Sequence, residues 1–483
     1  MKQAFQISKS KIKSISYICI ILITLFSCNS KKTKQQDFAK PNFLIVLTDQ
    51  WRADAFGHRG NPDVLTPNID KLAGEGVQFV NAISGMPVCT PARASLLTGQ
   101  RPLTNGVFMN DVQLDTTANS LAKIMTANNY QTAYIGKWHL DGRGRGTFIP
   151  KGRRQGFEYW KAQECTHNYN NSKYYSETPD TLLWKGYDAI AQTKDACDYI
   201  RNHANEQKPF LMFLSFGPPH APYQTAPEKY RQLYSADKIH LNPNVPDDMK
   251  EQVQKDFAGY YAHCTALDDM VGQLRKTLHE TGADENTIVI FLSDHGDLLG
   301  SHGAYKKQQP LDESIRVPMI FYIPEKLGGK PAIKEAMINM EDVLPTILGF
   351  SSIEIPETVE GINYCNYING GENPGDTVTL ISCVQPFGQW SRKKGGREYR
   401  GLRSTRYTYV RDINGPWLFF DNKVDPFQMN NLIANKEYLN LAKSFDSLLI
   451  DKLEKQGDKF LSGLDYVEQY NYPPLNSEET VPY

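Results

Sequence analysis

Cysteine is scarce in this chain. Eight in 483 residues are too few for a disulfide-dense scaffold. No interior run is long and apolar enough to cross a bilayer. Neither sign of charge dominates: 53 Lys and Arg face 54 Asp and Glu, for a formal charge of -1. That balance excludes a globally basic nucleic-acid coat and an acidic disordered chain. It leaves room for a local basic pocket that holds an anion. Internal repeats and low-complexity tracts are absent. What is present suffices for a sizeable core: 40% of residues are hydrophobic and 22% charged, over a length that suits one to three domains.

The first residues give an address. Lys2, Lys9, Lys11 and Lys13 precede an apolar run from Ile15 to Phe26. A basic stretch before a short apolar one is the pattern of a signal peptide rather than a span. The run closes on Leu25-Phe26-Ser27-Cys28, which resembles a bacterial lipobox, where cleavage precedes a cysteine that then carries lipid. The alternative is an ordinary signal peptide with an incidental cysteine. The lipobox reading makes residues 1–27 a signal peptide and 28–37 a polar, Lys-rich tether. It places the protein in the bacterial cell envelope, periplasmic or on the outer-membrane surface, with lipid contact through Cys28 only.

The remainder reads as an α/β protein, with a large domain over residues 38–366 and a C-terminal subdomain over 367–483. Asn42 to Thr48 is a short apolar run with β-branched residues, as expected of a strand covered on both faces. Thr66-Pro67 predicts a helix start with a threonine cap and a proline in the first turn. Leu121, Ile124 and Met125 share one face of a helix near Asn119 to Asn128. Thr132 to Ile135, Phe210 to Phe216 and Thr287 to Leu292 are further strands. Val253, Phe257, Tyr260, Cys264, Leu267, Val271, Leu274 and Leu278 recur at helical steps and predict a long amphipathic helix. Alternating strands and helices imply a mostly parallel central sheet flanked by helices. Asp49, His220 and Asp294 lie just past strand ends, where such sheets place their sites. Beyond about Tyr367, short strands at Thr377–Cys383, Tyr407–Val410 and Trp417–Phe420 and a helix near Lys436 to Leu453 predict a small antiparallel sheet with a helix.

Five short segments concentrate reactive residue types. Cys89-Thr90-Pro91-Ala92-Arg93 sets a cysteine at a Pro-containing helix start, where the positive helix end lowers a thiol pKa. Taken alone it is equally a plain structural cysteine. Asp49-Gln50 offers oxygen ligands to a hard cation, or simple turn groups. Lys137 and His139 stand two apart after a strand. His220 is held between Pro218-Pro219 and Pro222, which stiffen its loop. Ser293-Asp294-His295-Gly296 follows another strand, and His302-Gly303-Ala304-Tyr305-Lys306-Lys307-Gln308 comes shortly after.

Together these segments resemble the type I, formylglycine-dependent sulfatase family of the alkaline phosphatase-like superfamily, in particular bacterial polysaccharide sulfatases. The match includes Cys-x-Pro-x-Arg with the Leu97-Thr98-Gly99 that follows, Thr66-Pro67-Asn68-Ile69-Asp70, Gly136-Lys137-Trp138-His139, Pro219-His220-Ala221-Pro222 and Ser293-Asp294-His295-Gly296. It runs from about Pro41 to Asn431. The resemblance implies that a separate maturation enzyme oxidises Cys89 to formylglycine (3-oxoalanine). It implies one Ca2+ held by Asp49, Gln50, Cys89, Asp294 and His295. Gln50 stands where many relatives have Asp, and His295 where many have Asn. The implied catalytic set is Cys89, Arg93, Lys137, His139, His220 and Lys307. Register puts Lys307 on the catalytic lysine and Lys306 on a glycine, and a slip of one exchanges them.

The implied activity is sulfuric ester hydrolysis on sulfated sugars of an extracellular poly- or oligosaccharide, an algal glycan or a glycosaminoglycan, with no nucleic-acid partner. Arg143, Arg145, Arg153 and Arg154, interleaved with glycines, would pair with uronate or further sulfate, unless they form a solvated loop. Lys306 and His302 are candidate substrate contacts, and Trp138 and Trp160 candidate platforms for a sugar ring. Rival readings are a broad arylsulfatase, a phosphonate monoester or phosphodiester hydrolase, and a non-enzymatic glycan-binding surface lipoprotein.

Overall fold

A computed structural model describes residues 40–482. The leader, Cys28 and the tether lie outside the described residues. Strand β1 (Asn42–Asp49) is buried along its whole length. Its alternation splits it between two cores. Phe43, Ile45 and Leu47 join one apolar cluster, while Leu44 and Val46 join the other on the opposite face of the sheet. That is the two-sided burial expected of a central parallel strand.

The main sheet has eight strands. After β1 come β2 (Val77–Ile83), β3 (Gln131–Lys137), β4 (Tyr159–Gln163), β5 (Phe210–Pro219), β6 (Thr287–Ser293), β7 (Met319–Tyr322) and β8 (Ala332–Asn339). Their spatial order is β8-β2-β7-β6-β1-β5-β3-β4. All neighbours are parallel except β7, which runs antiparallel between β2 and β6. The sheet is therefore largely parallel, as the alternation of elements predicts. Strands β2, β4, β7 and β8 carry no long apolar run and were not evident from the sequence pattern.

Helices flank the sheet: α1 (Pro67–Glu75), α2 (Cys89–Thr98), α3 (Leu121–Ala127), α4 (Asp188–His203) and α5 (Lys250–Thr281). The long amphipathic prediction is met by α5, whose predicted stripe is buried. Helix α1 begins at Pro67 as expected, but its threonine cap is corrected. The Thr66 side chain makes no capping bond; its Oγ1 instead accepts the Gly57 N–H at 2.9 Å. Ser120 does cap α3, accepting from the Lys123 N–H.

Strands β9 (Val378–Cys383), β10 (Tyr399–Ser404), β11 (Tyr407–Asp412) and β12 (Gly415–Asp421) form an antiparallel meander. Helix α6 (Leu439–Lys455) covers one face, with Ala442, Leu449 and Leu453 against Leu402, Tyr409 and Phe419. The other face joins the large sheet's surroundings through Ile83, Ile315, Met337, Ile381, Tyr399 and Val410. No helix among the described residues is long and apolar enough to cross a membrane.

Candidate active site

The carboxyl ends of the central strands converge on one pocket. Asp49 closes β1, Lys137 closes β3, His220 follows β5, and Asp294 and His295 follow β6. Into this pocket points the start of α2. All ten residues of that helix are buried, so a short segment carries Cys89 and Arg93 on a rigid support. Gly99 ends the helix at φ 65°, its N–H donating to Ser95 O at 2.8 Å. A left-handed stop favours glycine, which accounts for the Leu-Thr-Gly at the end of the motif.

Cys89 Sγ lies 3.0 Å from Lys307 Nζ, 3.2 Å from His295 Nε2 and 3.8 Å from Asp49 Oδ1. Burial opposes a charge on this thiol, but Lys137, Lys307 and His295 outweigh it and hold its pKa well below the ordinary thiol value. Arg93 binds the anchors together. Its Nε donates to Asp294 Oδ2 at 3.0 Å, Nη1 to Ser215 Oγ at 2.7 Å and to Lys137 O at 3.0 Å, and Nη2 to Asp49 Oδ2 at 3.3 Å. Lys137 Nζ donates to Asp49 Oδ2. Burial raises the Asp49 pKa, yet the charges of Lys137, His220 and Lys307 carry it below the carboxylate range. For Asp294 burial prevails and the pKa rises.

The ligand atoms of Asp49, Cys89, Asp294 and His295 lie within 4.8 Å of one another. Their chemistry suits a cation. His295 Nδ1 faces Gly296 O at 2.8 Å; with the proton on that nitrogen, Nε2 keeps its lone pair for a ligand, 3.6 Å from both carboxylates. Such a backbone acceptor is a common way to fix a ligating imidazole. Gln50 joins the group through Oε1, because its Nε2 donates to Asp297 Oδ2 at 2.7 Å.

His139 Nε2 lies 3.1 Å from Asp111 Oδ1. Burial opposes its protonation, but Cys165 and Asp111 push its pKa up to about 10. His220 is the opposite case: burial, then Lys307, takes its pKa well below the ordinary value. Its Nδ1 faces Ala221 O at 2.8 Å, which leaves Nε2 for the pocket. His167 stacks on its ring with centroids 4.7 Å apart and planes at 5°.

The structure brings Cys89, Arg93, Lys137, Lys307, Asp49, Gln50, Asp294 and His295 into one contact cluster, while His139 pairs with Asp111 and His220 meets Ala221 and His167. Several predicted sugar contacts do not reach a surface. Trp138 is fully buried, packed on Tyr134, Phe157 and Trp160, and Trp160 is buried with it. Their role as sugar platforms is corrected to core packing. The basic loop is internally paired: Arg143 and Arg153 bind Asp141, Arg145 forks onto Asp111, and buried Arg154 reaches Glu177. His302 Nε2 lies 3.1 Å from Asn244 Nδ2.

Sequence reading missed Asp111, Glu164, Ser215 and Asp297. Glu164 accepts the N–H groups of Leu140, Asp141 and Gly142, fixing the loop after His139. Gln50, Asp111, His139, Lys306 and Gln308 all have positive φ. Each such backbone costs a non-glycine residue on the order of 1–3 kcal/mol, and clusters of them mark functional sites.

Comparison with known proteins agrees with this geometry. The model of the family described as Sulfatase matches residues 41–353, and one described as N-sulphoglucosamine sulphohydrolase, C-terminal, matches 300–456. The chain is 43% identical to the ulvan-active sulfatase of Formosa agariphila, across 98% of this chain and 93% of that protein. It is 27% identical to an endo-4-O-sulfatase of Bacteroides thetaiotaomicron, across 85% and 92%. A crystal structure of a candidate sulfatase, yidJ, from Bacteroides fragilis superposes with a TM-score of 0.80 at 32% identity, covering 90% of this chain and 99% of that one. With the motif cysteine, its arginine and the acidic cluster gathered at the strand ends, the chain belongs to the sulfatase family, the formylglycine-dependent sulfuric ester hydrolases of the alkaline phosphatase superfamily.

Proposed function

We propose that this sulfatase removes sulfate from sulfated sugars of an extracellular poly- or oligosaccharide, working from the bacterial cell envelope on a lipid carried by Cys28. The observation that supports it most is the approach of Lys307 Nζ and His295 Nε2 to Cys89 Sγ, at 3.0 and 3.2 Å, beside the Asp49–Asp294 pair. The 43% identity to an ulvan-active sulfatase favours a glycan substrate.

Asp49, Gln50, Asp294 and His295 would hold Ca2+, which when bound supplies a divalent charge opposite the sulfate oxygens. Oxidised by its maturation enzyme, the Cys89 position supplies an aldehyde hydrate as nucleophile. Lys137 and Lys307 offset the charge that gathers on the sulfuryl oxygens as the ester bond breaks. Arg93 keeps the pocket's carboxylates and the Lys137 carbonyl in place. His220 Nε2 is placed to pass a proton to the departing sugar oxygen. Burial and then Lys307 disfavour that proton, and the negative charge of a bound sulfate offsets the lysine's share. His139 has Nε2 occupied by Asp111, so Nδ1 is the nitrogen that exchanges a proton during release, as an acceptor once the ring is neutral. Acid and base groups of this kind contribute about 10²–10⁴-fold each.

The test is sulfate release from a panel of defined sulfated oligosaccharides, by protein whose Cys89 conversion has been checked by mass. An aryl sulfate and a phosphodiester are run in parallel. Turnover concentrated on sulfated sugars and lost in Cys89→Ala is the expected result. Faster hydrolysis of the phosphodiester, or full turnover by Cys89→Ala, would refute the reading.

A further inference from the structure

Lys306, next to the lysine that contacts Cys89, is fixed in a way the chemistry at Cys89 does not require. Its backbone is left-handed, φ 68°, a conformation natural to glycine and resisted by residues with a side chain. Two backbone bonds pin it there. Its N–H donates to Asp297 Oδ1 at 2.9 Å, and its carbonyl accepts the Leu298 N–H at 2.7 Å. The side chain is half-buried and adjoins Lys307, the lysine that contacts Cys89. Burial first, then Lys307 and Arg145, hold its ammonium below the ordinary pKa, and Asp297 and Cys89 offset this only in part. Among the described residues no acceptor engages Lys306 Nζ. A half-buried cation, crowded by other cations and without an acceptor, is unfavourable until an anion arrives.

We propose that Lys306 is a specificity-determining residue that binds a second anionic oxygen group of the substrate, a carboxylate or sulfate carried next to the ester that is cleaved. A sulfate monoester carries a single negative charge, and Lys137, shared with Asp49, and Lys307 already cover it, so the reacting group does not call on Lys306. The inference rests on the sulfate-ester reading above.

Two matched substrate pairs test it with the full, converted protein. One is a sulfated oligosaccharide with a neighbouring uronate and its carboxyl-reduced form. The other is an oligosaccharide with a neighbouring second sulfate and its singly sulfated form. The wild type should prefer the acidic member of one pair by about tenfold or more in kcat/KM, mainly through KM, as befits a hydrogen bond to a charged group. Lys306→Gly, which relaxes the backbone, should erase that preference, and Lys306→Arg should keep it. The pair that responds identifies carboxylate or sulfate. An equal loss on acidic and neutral members in Lys306→Gly would overturn the assignment, as would a wild type that cleaves both members of each pair alike. A wild type that cleaves no sulfate ester would sink the sulfatase reading and this inference with it.

Discussion

Gln50 owes its orientation to Asp297, a residue with no motif of its own. Asp297 Oδ2 accepts from both Gln50 Nε2 and Tyr223 Oη, at 2.7 and 2.6 Å, while Oδ1 takes the N–H groups of Leu299 and Lys306. With Nε2 so occupied, Gln50 turns Oε1 toward Lys307 Nζ, 3.4 Å away. An amide oxygen replaces a carboxylate here without placing a further negative charge against Asp297. On the Ca2+ reading proposed above, Asp297→Ala should let the Gln50 amide rotate and weaken Ca2+ binding about 10–100-fold, the usual scale for a group that orients a metal ligand. Calorimetric titration of metal-free protein measures it, and equal affinities in variant and wild type would remove Gln50 from the ligand set. The reactive residues were legible because each stands in a short, dense motif. Asp111 and Glu164 were not: each is a lone acid in a segment without pattern, and only the folded chain brings them to His139 and its loop.

Helix α4 begins at Asp188, and that start carries a cost. Asp188 is buried; Ser172 Oγ donates to its Oδ2 at 3.0 Å, but Oδ1 has no hydrogen-bond partner. Burial pushes its pKa up to about 7, from 3.8. The unfolded chain then releases this proton near pH 4, while the folded chain keeps it until about pH 7. Over that interval the native state binds more protons, so the contribution to stability falls as pH rises and stays lost above it. Asp188→Asn removes the titration. Its melting temperature relative to wild type should climb between about pH 4 and pH 7 and then level off, for a gain on the order of 1–4 kcal/mol. A difference independent of pH would mean that Asp188 is charged throughout. Legibility at this scale follows burial. The fully covered strands β1, β5 and β6 announce themselves as apolar runs. Strand β8 is half exposed along its first four residues, and β7 has only four residues, too few for periodicity to register.

The small sheet and the loop between β9 and β10 grip the segment that carries Lys307. Gln308 Nε2 donates to Phe387 O at 3.0 Å and Gln308 Oε1 accepts the Phe387 N–H at 3.1 Å. Tyr399 Oη donates to Gln308 O at 2.9 Å. Four residues further on, Asp312 takes a two-pronged bond from Arg403 of β10, both contacts at 2.9 Å. The composition change near Tyr367 pointed to a separate texture, but nothing in it reveals these bonds, which join residues 79 to 91 positions apart. Apolar burial crosses the same boundary, with Ile83, Ile315 and Met337 packed among Ile381, Tyr399 and Val410. Two bodies joined by both a buried ion pair and a shared core should not unfold separately. Arg403→Ala leaves Asp312 with Arg316 as its remaining cation, Nη1 3.4 Å away, a loss of about 1–3 kcal/mol. It should lower the temperature of one common unfolding transition in calorimetry, and sulfate release after brief heating should decay along the same curve. A low-temperature shoulder that leaves sulfate release intact would show that the small sheet melts on its own, and that its hold on Gln308 does not govern the position of Lys307.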